Sequence, residues 1–117
     1  MRIAFSAESN EGLNAQISQH FGRCPFYVIV DLEGEDIKGV DVIENPFYTS
    51  HGAPGEVPGF INQQGVKVMI TGGMGGRAIQ FFQQFGIEPI TGATGTVSEA
   101  LDLYISGRLK GFSTCND

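Results

Sequence analysis

Apolar positions along the chain form short runs separated by polar and glycine-rich stretches, and their period changes part-way along. Residues 2–6 alternate and then stop in a polar stretch at 7–12, which predicts a short first strand. Residues 13–18 fit one helical turn or part of a long loop. Phe26–Leu32 is rich in β-branched and aromatic residues and predicts a second strand. A tight turn at 33–36 follows. Ile37, Val40 and Val42 then lie among Lys38, Asp41 and Glu44, which predicts a hairpin partner with one solvated face.

Beyond a proline-containing loop at 45–58 the spacing becomes helical. A helix is expected from 55–57 to Gln64, with Gly65 as its stop. A buried strand is expected at 66–71, and a glycine cluster occupies 72–76. A helix over 77–84 carries Ala78, Ile79, Phe81, Phe82 and Phe85 as a core stripe. A brief strand at 87–91 and a second glycine turn at 92–95 come next. Thr96 or Ser98 caps a last helix through Ile105, with Glu99 at capping-box spacing from Thr96, and Gly107 ends it. No internal repeat or linker interrupts this order. The expectation is one domain over residues 1–117, with 107–117 as a flexible tail carrying Cys115.

Strand direction gives this order a functional meaning. The hairpin makes strands two and three antiparallel, and helical crossovers keep strands three, four and five parallel. If the first strand points the same way and pairs beside the fourth, five segments meet at one sheet edge: 7–10, 20–24, 45–54, 71–76 and 91–95. Open α/β sheets bind ligands at that carboxyl edge.

Composition narrows the classes. The 117 residues carry a formal net charge of −6 and a pI near 4.7, which argues against a nucleic-acid phosphate surface. No apolar run reaches membrane-spanning length, and the first residues read as a strand rather than a leader. Two cysteines make no secreted disulfide framework, so a cytoplasmic location with free thiols is expected.

Candidate chemistry concentrates at Ser18–Tyr27. His20 and Cys24 are four residues apart, but Gly22 and Pro25 argue against a helix there. A loop can bring imidazole and thiolate to one soft ligand; the plain alternative is a buried cysteine beside a strand and a locally bonded histidine. Two donors cannot close a zinc shell, and a closed site would need His51 and Cys115 as well. A cluster that needs only one or two protein donors fits better. His51 reads equally as a mobile ligand or a surface histidine. Thr71-Gly72-Gly73-Met74-Gly75-Gly76 joins a strand to a helix and can form an anion nest. It lacks the Lys-Ser/Thr of a P-loop, so the alternatives are a small-anion or nucleotide-binding regulatory module, or a tight turn only. Met74 is either an exposed soft side chain or a plug over the core. No nucleophile–base–acid set stands out, so an enzyme is not expected.

The run His20-Phe21-Gly22-Arg23-Cys24-x-Phe26 resembles the dinitrogenase iron–molybdenum cofactor biosynthesis family (the NifX, NafY and NifB C-terminal type). The likeness extends to Asn45-Pro46, His51-Gly52, the glycine loop before Arg77-Ala78, Gly95-x-Val97-x-Glu99-Ala100-Leu101 and Gly107-x-Leu109, nearly the whole chain. It implies a ribonuclease-H-like α/β fold with a mixed five-stranded sheet in order 3-2-1-4-5. It also implies non-enzymatic binding of an iron–molybdenum cofactor or a related iron–sulfur precursor, in company with cluster-assembly proteins. His20 is the expected metal ligand and Cys24 its helper. The expected cofactor-binding set is His20, Phe21, Gly22, Arg23, His51, Gly72, Gly73, Met74, Gly75 and Gly76. Neither nucleic acid nor membrane is an expected partner. A monomer or a weak homodimer, paired through the third-strand edge, is expected.

Overall fold

The computed structural model describes residues 1–48 and 55–113. His51 and Cys115, both named above, lie outside the described residues. The strands are β1 (Arg2–Ala7), β2 (Phe26–Glu33), β3 (Asp36–Glu44), β4 (Val68–Ile70) and β5 (Glu88–Ile90). The helices are α1 (Glu56–Gln63), α2 (Gly76–Gln84) and α3 (Val97–Ile105), with a 3-10 turn at Gly12–Asn14. The sheet order is β3-β2-β1-β4-β5. β1 runs parallel to β4, and β4 to β5, while β2 is antiparallel to both β1 and β3. This is the expected ribonuclease-H-like arrangement, including the direction of the first strand.

Alternation along the central strands builds two cores. Ile3, Phe5, Val28, Val30 and Leu32 face α3, where they meet Val97, Ala100 and Leu101. Ala4, Tyr27, Ile29 and Met69 face the other way and meet Ile61 of α1 and Ile79 and Phe82 of α2. Helices therefore cover both faces, and β1 is buried between them.

Two core expectations need correction. On α2 only Ile79 and Phe82 are fully buried; Phe81 is half-buried and Phe85 is 38% exposed. Phe81 and Phe85, four residues apart, stack on the adjoining flank at 6.3 Å. β3 buries no residue fully either: Ile37, Val40 and Val42 are exposed, and Ile43 on the other face is half-buried against the second core. The expected flexible tail is also tied down in part. Gly111 accepts from the Thr91 N–H at 3.1 Å, and the Ser113 N–H donates to Thr91 Oγ1 at 2.9 Å.

Local signals in the second half hold well. Gly55 takes φ +87° to start α1, and a Cβ there would stand 2.9 Å from the Phe81 ring, so glycine is required on both counts. Thr96 caps α3: its Oγ1 accepts from the Glu99 N–H at 3.1 Å, and the Glu99 carboxylate accepts from the Thr96 N–H at 2.9 Å. Thr96→Ala should lower the unfolding free energy by about 1 kcal/mol in urea titration, with the native spectrum unchanged.

Candidate functional site

At the carboxyl edge of β1, β4 and β5 the loops are joined by backbone hydrogen bonds. The Ser18 N–H donates to Ser6 O at 2.9 Å and the Gly72 N–H to Ser18 O at 2.9 Å. The Phe21 N–H donates to Gly73 O at 3.0 Å and the Gly92 N–H to Gly72 O at 3.0 Å. The Ile17 N–H donates to Gly95 O at 2.8 Å and the Val97 N–H to Ala15 O at 2.9 Å. The 18–24 loop, the glycine loop and the 92–95 turn thus form one hydrogen-bonded platform.

Polar side chains beneath the platform fix its shape. The Ser6 hydroxyl stands 2.6 Å from Thr71 Oγ1, and both hydroxyls reach Ser18 O, at 3.2 and 3.3 Å. Asn45 is buried, and its Nδ2 donates to Cys24 O at 2.9 Å and Gly22 O at 3.3 Å. Phe21 O accepts from the Tyr27 hydroxyl at 2.7 Å and from Cys24 Sγ at 3.3 Å. A carbonyl has two lone pairs, so this one is saturated. Sequence reasoning gave Ser6, Ser18 and Tyr27 no role in shaping the site, and named Thr71 and Asn45 only as members of longer motifs. The Ser6–Thr71 contact did leave a signal: two hydroxyls stand one residue beyond the register pair Phe5 and Ile70.

The predicted residues separate into outward and inward groups. His20 and Arg23 are exposed, Gly22 is half-buried, and Arg77 is exposed in the first turn of α2. Ser18 Oγ accepts from the His20 N–H at 3.2 Å and donates to His20 O, which holds the loop backbone and leaves the imidazole outside. Phe21 turns inward instead. It packs edge-on to Phe82 at 5.1 Å and tilted against Tyr27 at 5.9 Å. Met74 is 1% exposed and is the plug, not a surface donor.

Cys24 also departs from its expected role as helper ligand. It is fully buried, and desolvation pushes its thiol up to about 11 despite hydrogen bonds that oppose the shift. Metal ligation uses the thiolate, so a buried protonated thiol is not poised for it.

The glycine loop differs from a nest. The Gly72 N–H is already committed to Ser18 O. Gly75 has φ −71°, and the left-handed glycines of this edge are Gly92 and Gly95, at +85° and +77°. Gly72 is explained by close approach: a Cβ would stand 2.7 Å from the Gln19 amide. Gly73 is buried, Gly75 exposed and Gly76 already within α2. The α2 N-terminus has no side-chain cap. A groove of about 230 Å³ lined by Arg77, Gln80, Phe81 and Gln84 runs along α2. Among the described residues, no group of three or more His, Cys, Asp or Glu is placed to hold a metal ion, and no helix is long and apolar enough to cross a membrane.

Comparison with known proteins adds family evidence. The family model described as dinitrogenase iron-molybdenum cofactor matches residues 1–107. An uncharacterized protein of Methanocaldococcus jannaschii, MJ0580, is 32% identical over 113 residues, covering 96% of this chain and 92% of that protein. The crystal structure of PH0822 superposes with a TM-score of 0.84 at 43% identity, covering 94% of this chain and 95% of the other. The apo form of the orange protein from Desulfovibrio gigas superposes with a TM-score of 0.86 at 28% identity, covering 99% and 96%.

Proposed function

The chain belongs to the dinitrogenase iron-molybdenum cofactor family, and from that premise we propose that it is a non-enzymatic carrier of an iron–molybdenum cofactor or an iron–sulfur precursor of one. The observation that carries this reading is His20: an exposed imidazole on a loop whose backbone is fixed on either side of it, at Ser18 and at Phe21. A preassembled cluster needs few protein donors, because its sulfides already complete most metal shells. One imidazole therefore suits such a cargo better than a bare ion, which needs a closed shell. Arg23, Arg77 and the uncapped start of α2 place positive charge and free amides beside an anionic cargo. His51, outside the described residues, is a further proposed contributor, and Phe21 and Met74 contribute only as support beneath the site.

The test is anaerobic titration of the full chain with isolated iron–molybdenum cofactor, read by visible absorption and native gel shift. His20→Ala should weaken binding about tenfold or more, a loss of about 1.4 kcal/mol or more. Equal absence of binding by both proteins defeats the reading. The alternative, a small-anion or nucleotide module at 71–76, predicts calorimetric binding of phosphate or nucleotide that does not depend on His20. The commitment of the Gly72 N–H and the extended Gly75 weigh against it.

A further inference from the structure

β3 ends the sheet on one side, and its nine residues make a long edge; β5, at the other end, has three. Five strands spaced about 4.8 Å apart are wider than one helix about 10 Å across. On the α3 face the uncovered width falls at β3. Val40 and Val42 lie against the 3-10 turn at Gly12, where a Cβ would stand 3.8 Å from each. The register shift at Asp31/Leu32 keeps Ile37 on that same face, since Ile37 pairs with Leu32 while Val40 pairs with Val30 and Val42 with Val28. Three exposed apolar side chains thus form one row along an edge that pairs with no further strand among the described residues.

The charges around that row identify its occupant. Glu33, Glu35, Asp36, Asp41 and Glu44 are exposed on or beside β3, against Lys38 alone. A second copy would bring like charges to one seam, since acidic residues outnumber the single lysine along this edge. The same carboxylates match a basic strand. Repelling one's own copy while attracting an opposite charge is how an edge gains specificity.

We propose that β3 is a docking edge for an extended segment of a partner protein that alternates β-branched apolar residues with lysine or arginine, and that this segment adds as a sixth strand. Backbone hydrogen bonds would hold it, its apolar residues would cover Ile37, Val40 and Val42, and its cations would meet Asp36 and Asp41 on the opposite face. The inference does not depend on what His20 binds.

The experiment is a titration of the isotope-labelled full chain with a ten-residue peptide of alternating valine and lysine, followed by amide resonances. Shifts and slowed exchange are expected at residues 36–44, with affinity falling about fivefold or more between about 50 and about 500 mM salt. Two control peptides, one with glutamate for every lysine and one with proline in the middle, should leave those amides unmoved. Asp36→Lys with Asp41→Lys should weaken binding about tenfold. The proposal is overturned by absent binding, by equal response to the glutamate peptide, by shifts centred elsewhere, or by self-association through β3 without peptide.

Discussion

Phe82→Ala should lower the unfolding free energy by about 3–5 kcal/mol, a large share of the stability of a domain this size. Phe82 is fully buried on the inner face of α2, among Ile29, Met69 and Ile79. Its ring also supports Phe21 edge-on at 5.1 Å. Phe21 follows His20 directly, so the cavity opens beneath the loop that presents the imidazole. Two readouts follow. Urea unfolding should show the loss in midpoint, and amide resonances of residues 18–24 should broaden or move under conditions where the rest of the chain stays folded. Phe85→Ala, on the same helix, should cost less than about 1 kcal/mol, because Phe85 is 38% exposed and stacks on Phe81. Equal losses at the two positions would mean that the buried face of α2 is misassigned.

That contrast shows where sequence reasoning runs out. Five apolar residues in and just beyond the nine of α2 satisfy a helical stripe, but they span more of the circumference than the core can take. Periodicity marks the helix and leaves the choice between Phe82 and its neighbours to the sheet beneath. β3 fails for a related reason: alternation predicts one buried face, yet burial needs a covering layer, and α3 does not extend that far. Signals closed within a few residues were legible. The Thr96–Glu99 box is one, and the hairpin around residues 34–35 is another. The directions of strands two to five were legible too, because crossover handedness and short connections leave few arrangements, while that of the first strand is an assumption that the fold bears out. They brought His20 and the glycine loops to one edge, as the bond from the Phe21 N–H to Gly73 O now shows. Side-chain direction within the 18–24 loop was not legible. Whether Cys24 points out beside His20 or inward beside Tyr27 is decided by Asn45, just past the end of β3, and Tyr27, from the start of β2, which bind carbonyls of that loop.

The inward direction of Cys24 has a measurable consequence at alkaline pH. Burial pushes its thiol up from 9.0 to about 11 and raises the Tyr27 phenol as well, with the neighbouring Cys24 as the second cause. A thiol in the unfolded chain loses its proton near 9, so between about pH 9 and 11 the unfolded state binds fewer protons than the folded one. The unfolding free energy must then fall as pH rises through that window, and remain flat with respect to this group below it. The gap corresponds to about 2–3 kcal/mol for Cys24 at the upper end, with Tyr27 adding loss in the same direction above its ordinary range. Urea unfolding at pH 8, 9, 10 and 11 should show this decline, and Cys24→Ser should remove the thiol's part of it. In a Cys115→Ser background the native chain should resist alkylation at pH 8 and react once unfolded, since only the thiolate is nucleophilic. Rapid alkylation of the folded chain, or the same decline with and without Cys24, would place the thiol at the surface. It would then become available as a soft donor beside His20. A slow thiol leaves the imidazole to act without it, so this measurement on the cargo-free protein tests the ligand assignment from the opposite side.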